Sequence, residues 1–221
     1  MPQGRAVTKT KNKKNTRQAI IDAAGELFAV RGLDGTGVRA IVQKAGTALC
    51  SVNYHFKNKE DLYEECINFV LRDKLNLSTT SKALEDCLSD EPQDISNALF
   101  QMIKDSFELI FRPDNPNWYG VLLIRAKHEK HPLSKKILEG MTAPRKTKEF
   151  LIKKVPGISE EEAYLWVFSL TGQLQNFVIS KNTVLEAFNI DDYTPAFINT
   201  LVTYSAKNLI RSLNLPKPDL L

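Results

Sequence analysis

Residues 16–67 read TRQAIIDAAGELFAVRGLDGTGVRAIVQKAGTALCSVNYHFKNKEDLYEECI. Ile20, Ala24, Leu27 and Phe28 recur at i, i+4, i+7 and i+8, which is one apolar stripe of a helix over residues 16–31. Gly32 follows as a C′ residue able to take the left-handed conformation. A second, short helix is expected after Thr36, its N-cap, with Val38, Ile41 and Val42 inward and a stop at Lys44-Ala45-Gly46. The segment 48–56 again places Val52 and Phe56 on one face. Asn58-Lys59-Glu60-Asp61 then caps a fourth helix that carries Leu62, Tyr63, Cys66, Phe69 and Val70 and runs from Lys59 to about residue 76. Two short helices joined by a glycine turn form the helix-turn-helix pattern, in which the second helix enters the major groove and the first braces it.

Outward from this stretch the pattern stays helical. Residues 78–94 are polar and read as a connection. Helical periodicity resumes over 95–111 and continues, with no alternating strand, to about residue 215. Breaks fall at Arg112-Pro113-Asp114-Asn115-Pro116, at His131-Pro132 and at Val155-Pro156-Gly157. Ser159-Glu160-Glu161-Glu162 is a capping box that opens a long apolar helix to about residue 179, and Thr194-Pro195 starts the last helix, which ends near residue 213. The fold class is all-α with about nine helices. Its expected domains are a basic disordered tail over 1–15, a helix-turn-helix DNA-binding domain over 16–75, and a helical ligand-binding and dimerisation domain over 76–221.

The 221 residues are 43% apolar and 25% charged with 10 Gly and 10 Pro, a composition that excludes collagen-like, low-complexity and disordered classes. No apolar run approaches the roughly 18 residues of a membrane span, and the first 17 residues hold no apolar stretch of a signal peptide, so no membrane partner and a cytoplasmic location are expected. Cys50, Cys66 and Cys87 form no CxxC pair; free thiols and no metal are expected. The net charge is +4, yet residues 1–17 alone carry +6 (Arg5, Lys9, Lys11, Lys13, Lys14 and Arg17, with no acid). The first 60 residues hold 11 basic and 4 acidic side chains, or +7. This asymmetry points to a polyanion partner, a solvated tail being the alternative.

The stretch quoted above resembles the DNA-binding domain of the TetR family of bacterial regulators, in particular through Ala45-Gly46, Tyr54-His55-Phe56 and Lys59-Glu60-Asp61-Leu62. A fainter likeness joins Arg125, His131-Pro132 and Ala143-Pro144 to the C-terminal domain of a CecR-like branch. The resemblance implies a homodimer on palindromic double-stranded operator DNA and a helical sensing domain for a small-molecule effector. On a helical wheel Cys50 and Tyr54 lie opposite Val52 and Phe56, with Ser51 and Asn53 on the flanks, and these four are expected to face DNA. Leu49 has two readings, a thymine-methyl contact or a core contact. Asn53 suits bidentate bonding to adenine, or binds phosphate. By resemblance Tyr54 and His55 contact phosphates. Lys59 in the first turn of the fourth helix adds to a phosphate-binding field, and Thr36 and Arg39 hold the flanking backbone. The basic tail tracks the backbone or enters the minor groove. Two departures from the family pattern are Thr47, the expected cap of the recognition helix, and Asn53 where tyrosine is frequent.

For the effector, the expected pocket draws on Phe107, Phe111, Trp118, Tyr119, Trp166, Phe168 and Phe177 with polar groups at Arg125, His128, Gln173 and Asn176; plain core is the alternative for each aromatic. Arg125, amid Val121 to Ile124, needs a carboxylate, either Glu129 on the next turn or an anionic ligand. His128-Glu129-Lys130-His131 lacks HExxH spacing, and no GxSxG, Walker loop or GxGxxG is present, so neither an enzyme nor a cofactor is expected. The function read from the sequence is a repressor that releases its operator on binding a small molecule. The alternatives are a ligand-independent or activating DNA binder, a nonspecific nucleic-acid-binding protein, and a helical enzyme with a basic tail.

Overall fold

The computed structural model describes residues 4–129 and 142–221, and every regular element among them is helical. Its compact units are discontinuous in sequence. Among the described residues one unit comprises 4–74 with 118–129, the other 75–117 with 142–221. The helix after the Pro113–Pro116 break therefore groups with the N-terminal unit, where the sequence had placed it in the C-terminal domain.

The first unit is built on α1 (Gly4–Arg31), α2 (Val38–Ala45), α3 (Leu49–His55), α4 (Lys59–Asn68, continued by a π-helical turn, Phe69–Lys74) and α7 (Trp118–His128). The helix α1 starts inside the segment 1–15 expected to be a disordered tail. Its buried stripe is Ile20, Ile21, Ala24 and Phe28. Around it pack Ile41 of α2, Val52 of α3, Leu62, Tyr63 and Cys66 of α4, and Leu122 and Ala126 of α7. Phe28 and Tyr63 meet edge to face at 5.0 Å. Gly32 (φ +71°) and Gly46 (φ +63°) both occupy the left-handed region that ends a helix without a Cβ penalty.

The second unit contains α5 (Lys82–Asp86), α6 (Pro92–Ile110), α8 (Thr142–Lys154), α9 (Glu160–Ile179), α10 (Lys181–Phe188) and α11 (Pro195–Arg211). Ser159 accepts from the Glu162 amide while the Glu162 carboxylate accepts from the Ser159 amide, closing the expected capping box. Thr194 caps α11 through the Phe197 amide. Pro92 at the first position lets α6 begin three residues before the apolar periodicity does. Two short helices, α5 and α10, were not legible because each has only one buried apolar residue, Leu84 and Val184, too few to show a period. The expected break at His131-Pro132 lies outside the described residues.

Candidate nucleic-acid interface

Local chemistry builds α2 and α3 as a pair. The helix α2 starts at Val38 with Gly37 at the cap position, so Thr36 does not cap it. Thr36 is instead 1% exposed, and its hydroxyl donates to the Gly32 carbonyl at 2.7 Å. A hydroxyl buried on its own turn cannot hold DNA backbone, which corrects the expected role of Thr36. The helix α3 has Ala48 at its cap position without a side-chain bond, and the Thr47 hydroxyl is buried without a hydrogen-bond partner. Thr47 is therefore not the cap. Asn58 does cap α4, accepting from the Asp61 amide at 2.7 Å.

Val52 and Phe56 are buried, and the opposite face of α3 presents Cys50, Asn53 and Tyr54 exposed with Ser51 and His55 half-buried. Leu49 is 48% exposed, which removes its core alternative and leaves an apolar side chain on the outer face. The Tyr54 and His55 rings meet edge to face at 5.0 Å. Arg39 is exposed on α2. Lys59, expected on phosphate, donates to the Leu33 carbonyl at 2.8 Å, so one of its three N–H groups ties the start of α4 to the α1–α2 turn. Arg17, counted with the tail's charge, is likewise a structural cation: it pairs with Glu65 at 2.5 Å and lies 5.3 Å from the centre of the Phe56 ring. Nothing local in the sequence marks that role, because Glu65 lies 48 residues away.

The aromatic and polar residues proposed for an effector pocket divide between the two units. In the second unit Phe107 lies 5.9 Å from Phe111 and 6.2 Å from Phe177, and Phe111 meets Tyr193 at 5.3 Å. Gln173 is half-buried on the same helix as Phe177. Phe168 is 62% exposed and Asn176 is exposed too, so neither lines the interior of this unit. Trp166 is buried, and its indole N–H donates to the Leu209 carbonyl at 2.8 Å, pinning α9 to α11. That bond makes Trp166 core.

In the first unit Trp118 is buried against Gly25 and meets Tyr119 at 4.5 Å, and Tyr119 meets Phe69 at 6.1 Å. Trp118 and Tyr119 are thus core of the unit that carries α3, and they do not join Trp166 and Phe177 in one compact unit. Arg125 does approach Glu129, at 3.8 Å, but its shorter bonds run from Nε to the Ala29 carbonyl at 2.9 Å and from Nη2 to the Val30 carbonyl at 3.1 Å. The guanidinium thus occupies the negative end of α1. His128 is exposed at the end of α7.

Among the described residues no cluster of His, Cys, Asp or Glu could hold a metal ion, and no helix is long and apolar enough to cross a membrane.

Residues 20–66 match the family model described as bacterial regulatory proteins, tetR family. The chain is 39% identical over 64 residues to the HTH-type transcriptional repressor KstR2 of Rhodococcus jostii (strain RHA1), a match covering 29% of this chain and 31% of that protein. The likeness thus spans about a third of the relative's length. Two solved structures share the fold over most of the chain. A Clostridium perfringens putative fatty acid metabolism regulator superposes with a TM-score of 0.63 at 20% identity, covering 87% of this chain and 97% of its own. The ketosteroid transcriptional regulator KstR2 of Mycobacterium tuberculosis gives 0.62 at 18%, covering 89% and 93%.

Proposed function

We propose that this chain belongs to the TetR family of bacterial regulators and is a DNA-binding transcriptional repressor acting in the cytoplasm as a homodimer on a palindromic operator. The observation that carries the reading is α3 itself. It is anchored inward by Val52 and turns Leu49, Cys50, Asn53 and Tyr54 outward, near the end of a 60-residue stretch whose charge of +7 is concentrated in residues 1–17, which carry +6. Asn53 is the base reader, with its amide matched to the adenine edge, and Tyr54 and His55 bond phosphates.

One recognition helix reads too few base pairs for a specific site, so two copies are required. The long helix α9 supports this. Ala163, Trp166, Leu170 and Leu174 face its own unit, while Leu165 (66% exposed), Phe168 and Ile179 stand on the opposite side, and Tyr204 of α11 is exposed as well. A helix apolar all round belongs in a buried setting, and a second copy supplies it.

The helical second unit is the sensor. Its Phe107–Phe111–Phe177 cluster with the half-buried Gln173 suits an apolar effector with a few polar groups, whose binding lowers operator affinity. The test is selection of a duplex from a randomised pool by the full chain, followed by titration of that duplex and of a random one across salt concentrations. A palindromic consensus bound tightly by a dimer is expected. Equal affinity for selected and random duplexes would leave only nonspecific binding and overturn the reading.

A further inference from the structure

The recognition pair has few anchors of its own. The helix α2 fully buries only Ile41, and α3 only Val52. Where these helices sit is therefore set by what holds the turn ahead of them, and that turn is harnessed through its backbone carbonyls. Ala29 and Val30 accept from Arg125, Gly32 accepts from Thr36, and Leu33 accepts from Lys59. Two of these carbonyls belong to the last turn of α1, which has no intrahelical donor for them.

The harness is completed by a carboxylate. The Tyr63 hydroxyl donates to Glu129 Oε2 at 2.7 Å, and Glu129 Oε1 lies 3.8 Å from Arg125 Nη1. The same carboxylate closes over Gly32, where an added Cβ would come within 2.7 Å of Glu129 Oε1. Only a glycine lets the carboxylate approach so near. Arg125, Glu129 and Tyr63 thus form one polar cluster that joins α7, α4 and the end of α1.

We propose that this cluster is a latch, with Arg125, Glu129 and Tyr63 as positioning residues through which α7 fixes the α1–α2 turn and places α3 for base reading. Base contacts require placement to within about 0.5 Å, so a loosened turn loses specific binding while the phosphate contacts, which tolerate displacement, survive. The inference rests on the DNA-binding reading above, and its test separates the two.

The full chain and its Arg125→Met, Arg125→Lys, Tyr63→Phe and Glu129→Gln variants are titrated against the duplex selected by the wild type and against a random duplex over a range of salt. In Arg125→Met, which keeps the apolar stem, affinity for the selected duplex falls by at least about tenfold, the loss expected when a charged hydrogen bond is removed. Random-duplex affinity and the salt slope stay unchanged, because no phosphate contact is lost. Arg125→Lys, which still donates to a carbonyl, restores part of the binding, and Tyr63→Phe and Glu129→Gln give smaller losses of the same kind.

Wild-type affinity for the selected duplex in folded Arg125→Met and Tyr63→Phe overturns the latch. So does a parallel loss on both duplexes with a reduced salt slope, which would make Arg125 a phosphate contact. Should Arg125→Met unfold, the near-isosteric Tyr63→Phe and Glu129→Gln decide. If the wild type selects no duplex, the DNA-binding reading fails, and amide exchange over residues 37–47 then judges the latch: faster exchange in Tyr63→Phe supports it, and unchanged exchange refutes it.

Discussion

Replacing Gly25 by alanine tests the placement of α7 in the unit that carries α3. At an open position inside a helix the exchange stabilises by about 0.5–1 kcal/mol, because alanine loses less backbone entropy on folding. At Gly25 a Cβ would lie 2.8 Å from Cε3 of Trp118 and nearer still to Cζ3 and Cη2. Those atoms belong to a rigid ring that is itself held edge to face at 4.5 Å by Tyr119, so the ring cannot swing aside as a flexible side chain would. Because the ring cannot yield, the cost falls in the upper part of the usual overpacking range, about 2–3 kcal/mol, which outweighs the helical gain and leaves a net loss of about 1–2.5 kcal/mol. For a chain of this size about 2–4 °C of Tm accompanies each kcal/mol. The assay is thermal unfolding followed by the fluorescence of Trp118 in a Trp166→Phe background, which reports on one unit of a protein whose two units need not melt together. Trp118→Phe combined with Gly25→Ala should recover part of the loss, a coupling that a double-mutant cycle followed by far-ultraviolet circular dichroism reads without the tryptophan reporter. A Gly25→Ala protein as stable as the wild type, or more so, would show that Trp118 does not pack there.

Asn53→Ala is expected to weaken operator binding by about 1–3 kcal/mol per half-site and to relax one symmetric base position; uniform weakening across a randomised library would assign Asn53 to the backbone. Phe168→Glu, at a site 62% exposed within one chain, should convert the proposed dimer to a monomer in sedimentation without lowering helix content, and a surviving dimer would refute an interface on this face of α9. Tyr63 is held protonated well beyond the ordinary tyrosine value of 10, first by burial and then by its bond to the Glu129 carboxylate. Its contribution to stability is therefore complete below pH 10 and falls as the pH rises above that, where the unfolded chain gives up its proton and the folded chain does not. Alkaline difference spectroscopy should show one tyrosine, absent in Tyr63→Phe, that ionises only on unfolding; its titration with the exposed tyrosines would refute the buried bond.

Local signals and long-range ones separate cleanly in this chain. The helices α1, α6, α9 and α11 were legible because an amphipathic stripe repeats over several turns, and caps such as Ser159–Glu162 and Asn58–Asp61 act across three residues. The outward face of α3 followed from the same periodicity, with Val52 and Phe56 fixing which side is buried. Leu49 was the exception, since a residue at the first turn of a short helix has too little helix around it for a stripe to assign its side.

What only the tertiary structure decided are pairings between distant segments. Arg125 bonds a carbonyl 96 residues away, Glu129 takes the Tyr63 hydroxyl 66 residues away, and Lys59 reaches back 26 residues to Leu33. In sequence, Trp118 is an aromatic equally suited to a ligand pocket or a core, and only its seat on Gly25 assigns it to the unit that carries α3. Helix formation and capping are written in neighbours a few residues apart, so a linear reading recovers them. Which apolar face meets which, and which cation finds which carbonyl, depends on how whole helices pack, and that information is distributed over the entire chain.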